Sequence, residues 1–353
     1  MKKSDEEIPM STPEASLTLE ALPLPEASPG KRWKTRVQTF LKLGFVAVLL
    51  AFLVKKGFIS GEHLKRAFQS PERMIPAIAA LVATTAAGAL RWKWLLDAQG
   101  IQLSFKRVLQ LHLIGNFFNL ALPGAVSGDF VKAFYVGKEV QGQRARAFGS
   151  ILFDRVSGLA ALVIVSAGAI LLGLRGFLHT PFLHAIQTFV LLAAAAFLAF
   201  FTYLFLVKET HDPLLLVLQK VETTIPKVES LRKIYESLRH YHHHRKAVVL
   251  SVGISVLVHL IVGWACFQFA QALGDTELPL LRTYVVVPIG LLVTAIPVAP
   301  GGIGTGNVAF LWLFQLIGSQ RGADVYSLFA LTNLIFGSVG GWVYLRFKQA
   351  KRH

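Results

Sequence analysis

The chain has 353 residues, of which 54% are hydrophobic and only 16% are charged, and its mean hydropathy is +0.54. A soluble domain has about 25% charged residues, so this composition excludes a soluble globular enzyme and predicts a polytopic membrane protein. In such a protein the formal net charge of +16 indicates basic loops that face the cytoplasm and anionic lipid, and not nucleic-acid binding.

The first 34 residues are rich in Pro, Ser and Glu and have no apolar core of the kind found in signal peptides. We expect a disordered cytoplasmic tail there and an all-α transmembrane domain over residues 35–350. A transmembrane helix needs about 20 apolar residues. Six segments meet or approach this length: residues 37–54, 74–96, 148–174, 182–207, 247–273 and 325–345.

Two further apolar regions, residues 108–126 and 284–317, contain Pro-Gly pairs and additional glycines. Proline removes a backbone donor and glycine permits left-handed turns, so a helix is expected to break in each region. Broken backbone at membrane depth is tolerated only inside protein or beside a water-filled cavity. We therefore predict two re-entrant helical hairpins in addition to the six spans.

Basic residues indicate the topology of these elements. They precede the first span, follow the second span and the first hairpin, and fill the link at 208–246 and the segment after the last span. This distribution predicts a multi-pass protein of the inner (cytoplasmic) membrane with both termini in the cytoplasm. Against the pattern, five basic residues lie in a loop predicted to be outside: Lys55, Lys56, Lys65, Arg66 and Arg73.

The order span, hairpin, span occurs twice along the chain, in opposite predicted orientations. A glycine followed by Pro-Gly occurs in both hairpins, at Gly115 with Pro123-Gly124 and at Gly290 with Pro300-Gly301. Interrupted segments at matching positions of two inverted halves indicate the binding site of a transporter. Coincidence between two glycine-rich hairpins is the alternative.

The link at 208–246 has apolar residues every three to four positions between 213 and 240, with an interruption near Pro226. This spacing predicts an amphipathic helix. Two placements are open for it: the cytoplasmic membrane surface or the protein's own spans. The three consecutive histidines at 242–244 do not converge on one ion, so they indicate a basic interfacial stretch and no metal site.

Polar residues of the hairpins and spans are the candidate substrate-binding residues. Asn116 and Asn119 share a helix face, and glycine-rich turns leave backbone amides that attract an anion such as a lipid phosphate. Charges within spans are functional candidates, with a structural salt bridge as the alternative, and Arg155 is predicted to meet a phosphate or to pair with Asp129. The full set is Arg91, Asn116, Asn119, Pro123, Gly124, Gly128, Asp129, Lys132, Asp154, Arg155, Pro300, Gly301, Gly302, Gly304 and Asn307.

Several short motifs together resemble the transmembrane-region, flippase-like family of lysylphosphatidylglycerol synthases. They are residues 91–96 (RWKWLL), 115–119 (GNFFN), 122–124 (LPG), 128–129 (GD), 154–158 (DRVSG) and 300–304 (PGGIG). The resemblance covers roughly residues 35–350 and implies a membrane protein that moves lipids between leaflets. Bifunctional members continue into a soluble aminoacyltransferase domain, which we expect to be absent because the chain ends soon after its last span. Asn307 stands where the family usually has Glu, which puts a proton or cation role at this position in doubt.

These observations predict a lipid translocase for an anionic phospholipid or a polyprenyl or glycolipid substrate. One alternative is an accessory membrane protein that presents lipid to a separate synthase or glycosyltransferase docked on residues 213–240. A membrane-embedded transferase using Asp129 and Asp154 as acids is a further alternative. The chain contains no GxSxG, HExxH or cofactor motif, so we expect no enzymatic activity and no cofactor. The expected partners are an anionic lipid head group, the membrane and a separate lipid-modifying enzyme.

Overall fold

A computed structural model describes residues 55, 61–121, 127–140, 142–173, 181–208, 212–225, 228–294 and 302–350. These residues form helices and no strand, as the composition predicts. The helices are α1 (Gly61–Phe68), α2 (Pro71–Ala98), α3 (Phe105–Ala121), α4 (Ser127–Glu139), α5 (Arg144–Gly173), α6 (Pro181–Leu206), α7 (Pro213–Glu222), α8 (Val228–Arg239), the 3₁₀ turn His240–His244, α9 (Arg245–Ala272), α10 (Leu280–Thr294), α11 (Thr305–Leu316) and α12 (Gly322–Ala350).

Among the described residues, five stretches of helix are long and apolar enough to cross a membrane. They are Pro71–Ala98, Arg144–Leu172, His184–Leu206, Val228–Ala272 and Gly322–Arg346. Each overlaps a predicted span, so an all-helical membrane architecture is confirmed at this level. The sixth predicted span, residues 37–54, and the predicted N-terminal tail lie outside the described residues.

In both regions predicted to break, one short helix ends and is followed by a second; in the first region the second helix begins at Ser127, just after the predicted boundary. The first pair, α3 and α4, has 17 and 13 residues, and the second pair, α10 and α11, has 15 and 12. The two helices of each pair pack against each other. The connecting residues, 122–126 and 295–301, lie outside the described part of the chain. Each of the four helices is shorter than the roughly 20 residues of a full span.

Three helix ends require glycine. Gly100, Gly274 and Gly318 follow α2, α9 and α11 with φ of 76°, 100° and 88°, a region that residues with a Cβ rarely adopt. After Gly100 the amide of Ile101 donates to the Leu96 carbonyl at 2.9 Å. The amide after Gly274 and the amide after Gly318 likewise donate to the carbonyl five residues earlier in the chain, so these helices end in Schellman motifs.

The long helices surround a central packing of α2 against α9. On one side α3 lies between α4 and α12, and on the other α5 packs against α9 and α10. A Cβ added at Gly340 of α12 would lie 1.9 Å from the Leu113 carbonyl oxygen of α3, so the two backbones touch. The largest hydrophobic cluster fills the space among α2, α9, α10, α11 and α12 and includes Phe269, Phe310, Phe314 and Tyr326.

The predicted amphipathic link consists of α7 and α8, and its two helices have different environments. α8 packs on α5, whereas α7 has no buried residue. Asp212, at the start of α7, accepts hydrogen bonds from the amides of Leu214 and Leu215 and forms an ion pair with Arg239 at 2.8 Å. Burial alone raises the pKa of Asp212, but hydrogen bonds from Tyr203 and Tyr235, the Leu215 amide and the Arg239 charge together hold this pKa below its ordinary value.

Candidate functional site

A cavity of about 670 Å³ lies among α2, α3, α4 and α5, with α9 and α12 completing its wall. The structure brings seven of the sequence-predicted candidates together here, although they come from four helices. These are Arg91, Asn116, Asn119, Asp129, Lys132, Asp154 and Arg155. Because water and ions are excluded from most of the surrounding helix packing, this concentration of charge needs internal pairing.

Arg91 and Asp154 form the first ion pair of the cavity, between α2 and α5. The Nε atom of Arg91 is 2.7 Å from Oδ1 of Asp154, and both side chains are largely buried. Nη1 of Arg91 also donates to the hydroxyl of Ser255 on α9 at 2.8 Å. The pair thus joins three helices at the centre of the fold, and removal of one partner leaves a buried charge uncompensated.

Asp129, at the start of α4, lies between two cations. Its Oδ1 is 3.0 Å from Nζ of Lys132, and its Oδ2 is 2.6 Å from Nε of Arg155. The Lys132 side chain is 4% exposed and its Nζ lies 4.9 Å from the centroid of a Trp92 ring. The Arg155 side chain, by contrast, is 46% exposed. Both cations line the cavity, and Arg155 is the more exposed of the two.

Adjacent residues on α5 thus serve two different ion pairs. Side chains one position apart on a helix diverge by about 100°, so Asp154 turns towards α2 while Arg155 turns towards α4. Of the two alternatives predicted for Arg155, pairing with Asp129 is the one present in the structure. The carboxylates of Asp129 and Asp154 each face at least one cation, which stabilises both charges at this depth.

Backbone contact between α3 and α4 positions the start of α4. A Cβ at Gly128 would lie 1.9 Å from the Gly115 carbonyl oxygen, so only glycine fits at this crossing. The amide of Gly128 donates to Oδ1 of Asn119 at 2.8 Å. This amide was expected to be open to an anion, but the Asn119 side chain already caps it. The prediction of an anion at the Gly128 amide therefore requires displacement of Asn119.

Residues that were not selected from the sequence also line the cavity. Thr84, Gly88 and Arg91 follow one another at four and three positions along α2, which places them on one helix face. His112 of α3 packs against Gly88, and Nε2 of His259 is 3.1 Å from the Gly158 carbonyl oxygen. The four-and-three spacing leading to Arg91 is the signal in the sequence that could have identified the α2 face.

Exposed apolar side chains also line the cavity. Phe130 of α4 and Leu159 of α5 are 61% and 40% exposed, and the polar lining residues Arg155 and Asn333 are exposed as well. In a membrane protein exposed apolar side chains face lipid tails, as they do on the outer surface of the long helices. The cavity lining thus combines charged and amide groups with exposed apolar side chains.

The described candidates of the second hairpin lie elsewhere. Asn307 is 1% exposed and accepts from the Gly304 amide at 3.0 Å, so it caps α11. Its Nδ2 donates to Oγ of Ser327 at 2.7 Å and to the Ala323 carbonyl, which ties α11 to α12. A Cβ at Gly302 would collide with the Tyr326 hydroxyl. None of these residues lines the cavity. Four further candidates lie outside the described residues: Pro123, Gly124, Pro300 and Gly301.

The histidine stretch at the start of α9 lines a separate, open depression together with Trp94 and Asp97. Nε2 of His240 is 3.2 Å from Nε2 of His244. Within the part of the chain that the structure describes, no group of three His, Cys, Asp or Glu side chains is arranged to hold a metal ion.

Comparison with known proteins identifies the family. Residues 39–341 match the family described as the lysylphosphatidylglycerol synthase TM region. The chain is also 25% identical over 258 residues to a UPF0104 membrane protein of Pyrococcus horikoshii, an alignment that covers 67% of this chain and 75% of the relative. No solved structure matches the chain. With the family match spanning most of its length and five helices able to cross a bilayer, the chain belongs to the lysylphosphatidylglycerol synthase TM-region family and is a multi-pass membrane protein.

Proposed function

We propose that the protein is a lipid translocase that moves an anionic phospholipid, or a polyprenyl or glycolipid, between the leaflets of the inner membrane. The observation that carries this proposal is the cavity, whose lining combines charged and amide groups with exposed apolar side chains. A lipid has the complementary form, since its head group needs polar partners while its tails stay in hydrocarbon. The driving force would be a gradient or none, because the sequence contains no nucleotide-binding motif.

The helix packing supports an inverted repeat as the basis of transport. We pair α2 with α9, α3 with α10, α4 with α11 and α5 with α12. Under this exchange the packing of α3 on α12 becomes that of α10 on α5, and the packing of α2 on α5 becomes that of α9 on α12. Every packed pair among these eight helices maps in this way onto a packed pair. Such halves can rock against each other to give alternating access.

The hairpins α3–α4 and α10–α11 are, in this proposal, re-entrant elements that enter from opposite faces. Their helices are too short to cross alone, and each pair is closely packed. The first pair supplies Asn116, Asn119, Asp129 and Lys132 to the cavity. The second pair is held by Asn307 and Tyr326, and we propose that it supports α12.

No catalytic step is part of the proposal. A general acid has to reach a reacting atom of the substrate, and both carboxylates of the cavity are engaged in ion pairs with side chains of the protein. For a transferase, Asp154→Asn should abolish turnover of a lipid-linked sugar. We expect no such turnover in the wild-type protein, measured with a radiolabelled polyprenyl-phosphate sugar and a lipid acceptor.

Reconstitution tests the translocase proposal. The full chain is inserted in phosphatidylcholine vesicles that contain an acyl-labelled NBD-phosphatidylglycerol, and dithionite then bleaches label in the outer leaflet. We expect the protected fraction of label to fall when protein is present, because inner-leaflet lipid reaches the outside. Asn116→Leu, which replaces a cavity amide by an apolar group of similar size, should slow this loss.

The matched control is Arg146→Gln, which removes an exposed charge of α5 outside the cavity. Vesicles that contain this variant should lose protected label to the same extent as vesicles with the wild type. If wild-type protein left the protected fraction unchanged for phosphatidylglycerol, phosphatidic acid and a polyprenyl-phosphate sugar, translocation would be excluded.

A second candidate function is favoured by α7, which exposes apolar side chains and has no buried residue. In this alternative the protein presents its lipid to a separate synthase or glycosyltransferase that docks on α7. Removal of residues 213–222 would then abolish capture of that enzyme and leave lipid binding intact.

A further inference from the structure

We propose that the cavity selects a head group with a single negative charge, a phosphodiester, and that Arg155 is the residue that binds its phosphate. The inference rests on the proposed function for the identification of the cavity as a lipid site. It goes further because it assigns the charge class of the substrate and the residue that recognises it. The argument depends on which charges of the cavity are already compensated.

The charged side chains of the cavity sum to one excess positive charge. Three are cations and two are carboxylates: Arg91, Lys132 and Arg155 against Asp129 and Asp154. Arg91 pairs with Asp154, and Lys132 and Arg155 share Asp129. A monoanionic guest brings the total to neutrality. A dianionic phosphomonoester would leave one negative charge without a cationic partner in the cavity.

Arg155 is the cation placed to receive the guest. Lys132 is 4% exposed and lies between Asp129 and the Trp92 ring, and Arg91 is held by Asp154 and Ser255. The Arg155 side chain is 46% exposed and contacts Asp129 through Nε. When a phosphate binds Arg155, Lys132 remains on the other oxygen of Asp129 and keeps this carboxylate compensated. A guanidinium also matches two phosphate oxygens in a bidentate arrangement.

Zwitterionic head groups fit this site poorly. An amine or quaternary ammonium group needs an anionic partner at a buried site. Both carboxylates of the cavity already face cations. A second cation would therefore have to displace Lys132 or Arg91, which are the two most buried cations there.

Binding without transport tests the inference. The full chain is placed in phosphatidylcholine nanodiscs that contain increasing amounts of one test lipid, and bound test lipid is counted by native mass spectrometry. The test lipids are phosphatidylglycerol, phosphatidylethanolamine and phosphatidic acid, the last at about pH 8, where a phosphomonoester with a second pKa near 6 carries two charges. A polyprenyl-phosphate sugar, also a monoanionic phosphodiester, distinguishes a glycerolipid source from a polyprenyl source.

We expect the wild type to prefer the lipids with a net charge of minus one, phosphatidylglycerol and the polyprenyl-phosphate sugar, over zwitterionic phosphatidylethanolamine and dianionic phosphatidic acid. Arg155→Gln should weaken phosphodiester binding about ten-fold or more, since a hydrogen bond to a charged group is lost. Arg155→Lys should bind less tightly than the wild type but keep its preference, because the charge remains while the bidentate geometry is lost. Arg146→Gln should bind like the wild type.

Asp129→Asn provides a second, independent variant, because it raises the excess charge by one and should shift preference towards phosphatidic acid. If it does not fold, Arg155→Gln and Arg155→Lys still decide the question. The inference is overturned if Arg155→Gln binds phosphatidylglycerol and the polyprenyl-phosphate sugar as the wild type does. It is equally overturned if the wild type binds the three glycerolipids alike.

Failure of the proposed function has a different signature. Charge-selective binding without loss of protected NBD-lipid would leave the inference standing and remove translocation. Loss of protected NBD-lipid without charge-selective binding would support translocation and overturn the inference.

Discussion

Buried charge pairs explain how ionised residues persist within the long helices. A charge at membrane depth costs about 2.5–3.5 kcal/mol on insertion scales, and this cost is offset only when a partner is close. Arg91 and Asp154 provide such a pair at 2.7 Å between α2 and α5. A contrasting pair on α2 itself, Lys93 with Asp97 at 2.6 Å, is more exposed, with 24% and 30% of the two side chains accessible.

The two pairs predict different costs of substitution. Arg91→Met leaves Asp154 buried without its main partner, which should lower the free energy of unfolding by about 3–5 kcal/mol. The double variant Arg91→Met with Asp154→Leu should recover part of this loss, since neither charge then remains. The measurement is the midpoint of thermal unfolding in detergent for the wild type, for Arg91→Met and for the double variant.

Lys93→Met is the control for this series. An exposed pair four positions apart contributes about 0.3–0.5 kcal/mol, so its midpoint should stay close to that of the wild type. A double variant less stable than Arg91→Met alone would show that the uncompensated charge of Asp154 does not account for the loss.

Close helix crossings at glycine determine the shape of the cavity. α3 contacts α4 through Gly115 and Gly128 and contacts α12 through Leu113 and Gly340. Gly128→Ala would place a Cβ 1.9 Å from a backbone oxygen. A helix backbone cannot move aside as easily as the end of a flexible side chain. We expect a loss of at least about 1–3 kcal/mol in the free energy of unfolding. Lipid binding should also weaken, because Asp129 follows directly.

The control is Gly168→Ala in the middle of α5, where an added Cβ has nothing within 4 Å. Replacement of a helical glycine by alanine should stabilise the protein by about 0.5–1 kcal/mol. Equal unfolding midpoints for the wild type and Gly128→Ala would contradict the close crossing of α3 and α4.

The position of α7 distinguishes the translocase from the accessory protein. Its apolar face includes Leu214, Val217 and Val221, all exposed, and Asp212 joins its start to Tyr203 in the last turns of α6. Because α6 is a candidate span, α7 begins at the membrane surface. A nitroxide at Val217→Cys should be accessible to oxygen, which partitions into lipid, and shielded from a water-soluble nickel complex.

The control position is Gln219, on the opposite face of α7, where the label should be accessible to the nickel complex. Water access at both positions would mean that the apolar face is not in lipid. It would then favour a docked partner enzyme on α7.

The whole molecule shows which features a sequence determines. Hydrophobic length identified five described spans, and Pro-Gly pairs identified both breaks, because these signals are local. The divergence of Asp154 and Arg155 was also predictable from helix geometry. The ion-pair partner of Asp154 could not be predicted in this way. Arg91 lies on a helix far away in the chain, so only helix packing brings it to Asp154. The role of Asn307 as a cap joined to Ser327 depends equally on the approach of α11 to α12.

The proposed inverted arrangement of the two halves makes a prediction about sidedness. Between Lys138, in the last turn of the first hairpin, and Glu277, before the second, the chain contains three candidate spans: α5, α6 and the helical stretch Val228–Ala272, which includes α9. Three crossings place these two exposed residues on opposite sides of the membrane. In spheroplasts of cells that express the protein, a membrane-impermeant maleimide should label Glu277→Cys directly and Lys138→Cys only after lysis.

The wild-type chain is a suitable background for this labelling, because its one cysteine, Cys266, is 0% exposed. It should remain unlabelled before and after lysis. Labelling of both positions from the same side would require an even number of crossings between them. The two halves would then have parallel orientation, and rocking of inverted halves could no longer expose the cavity to each leaflet in turn, even though the helix pairs match.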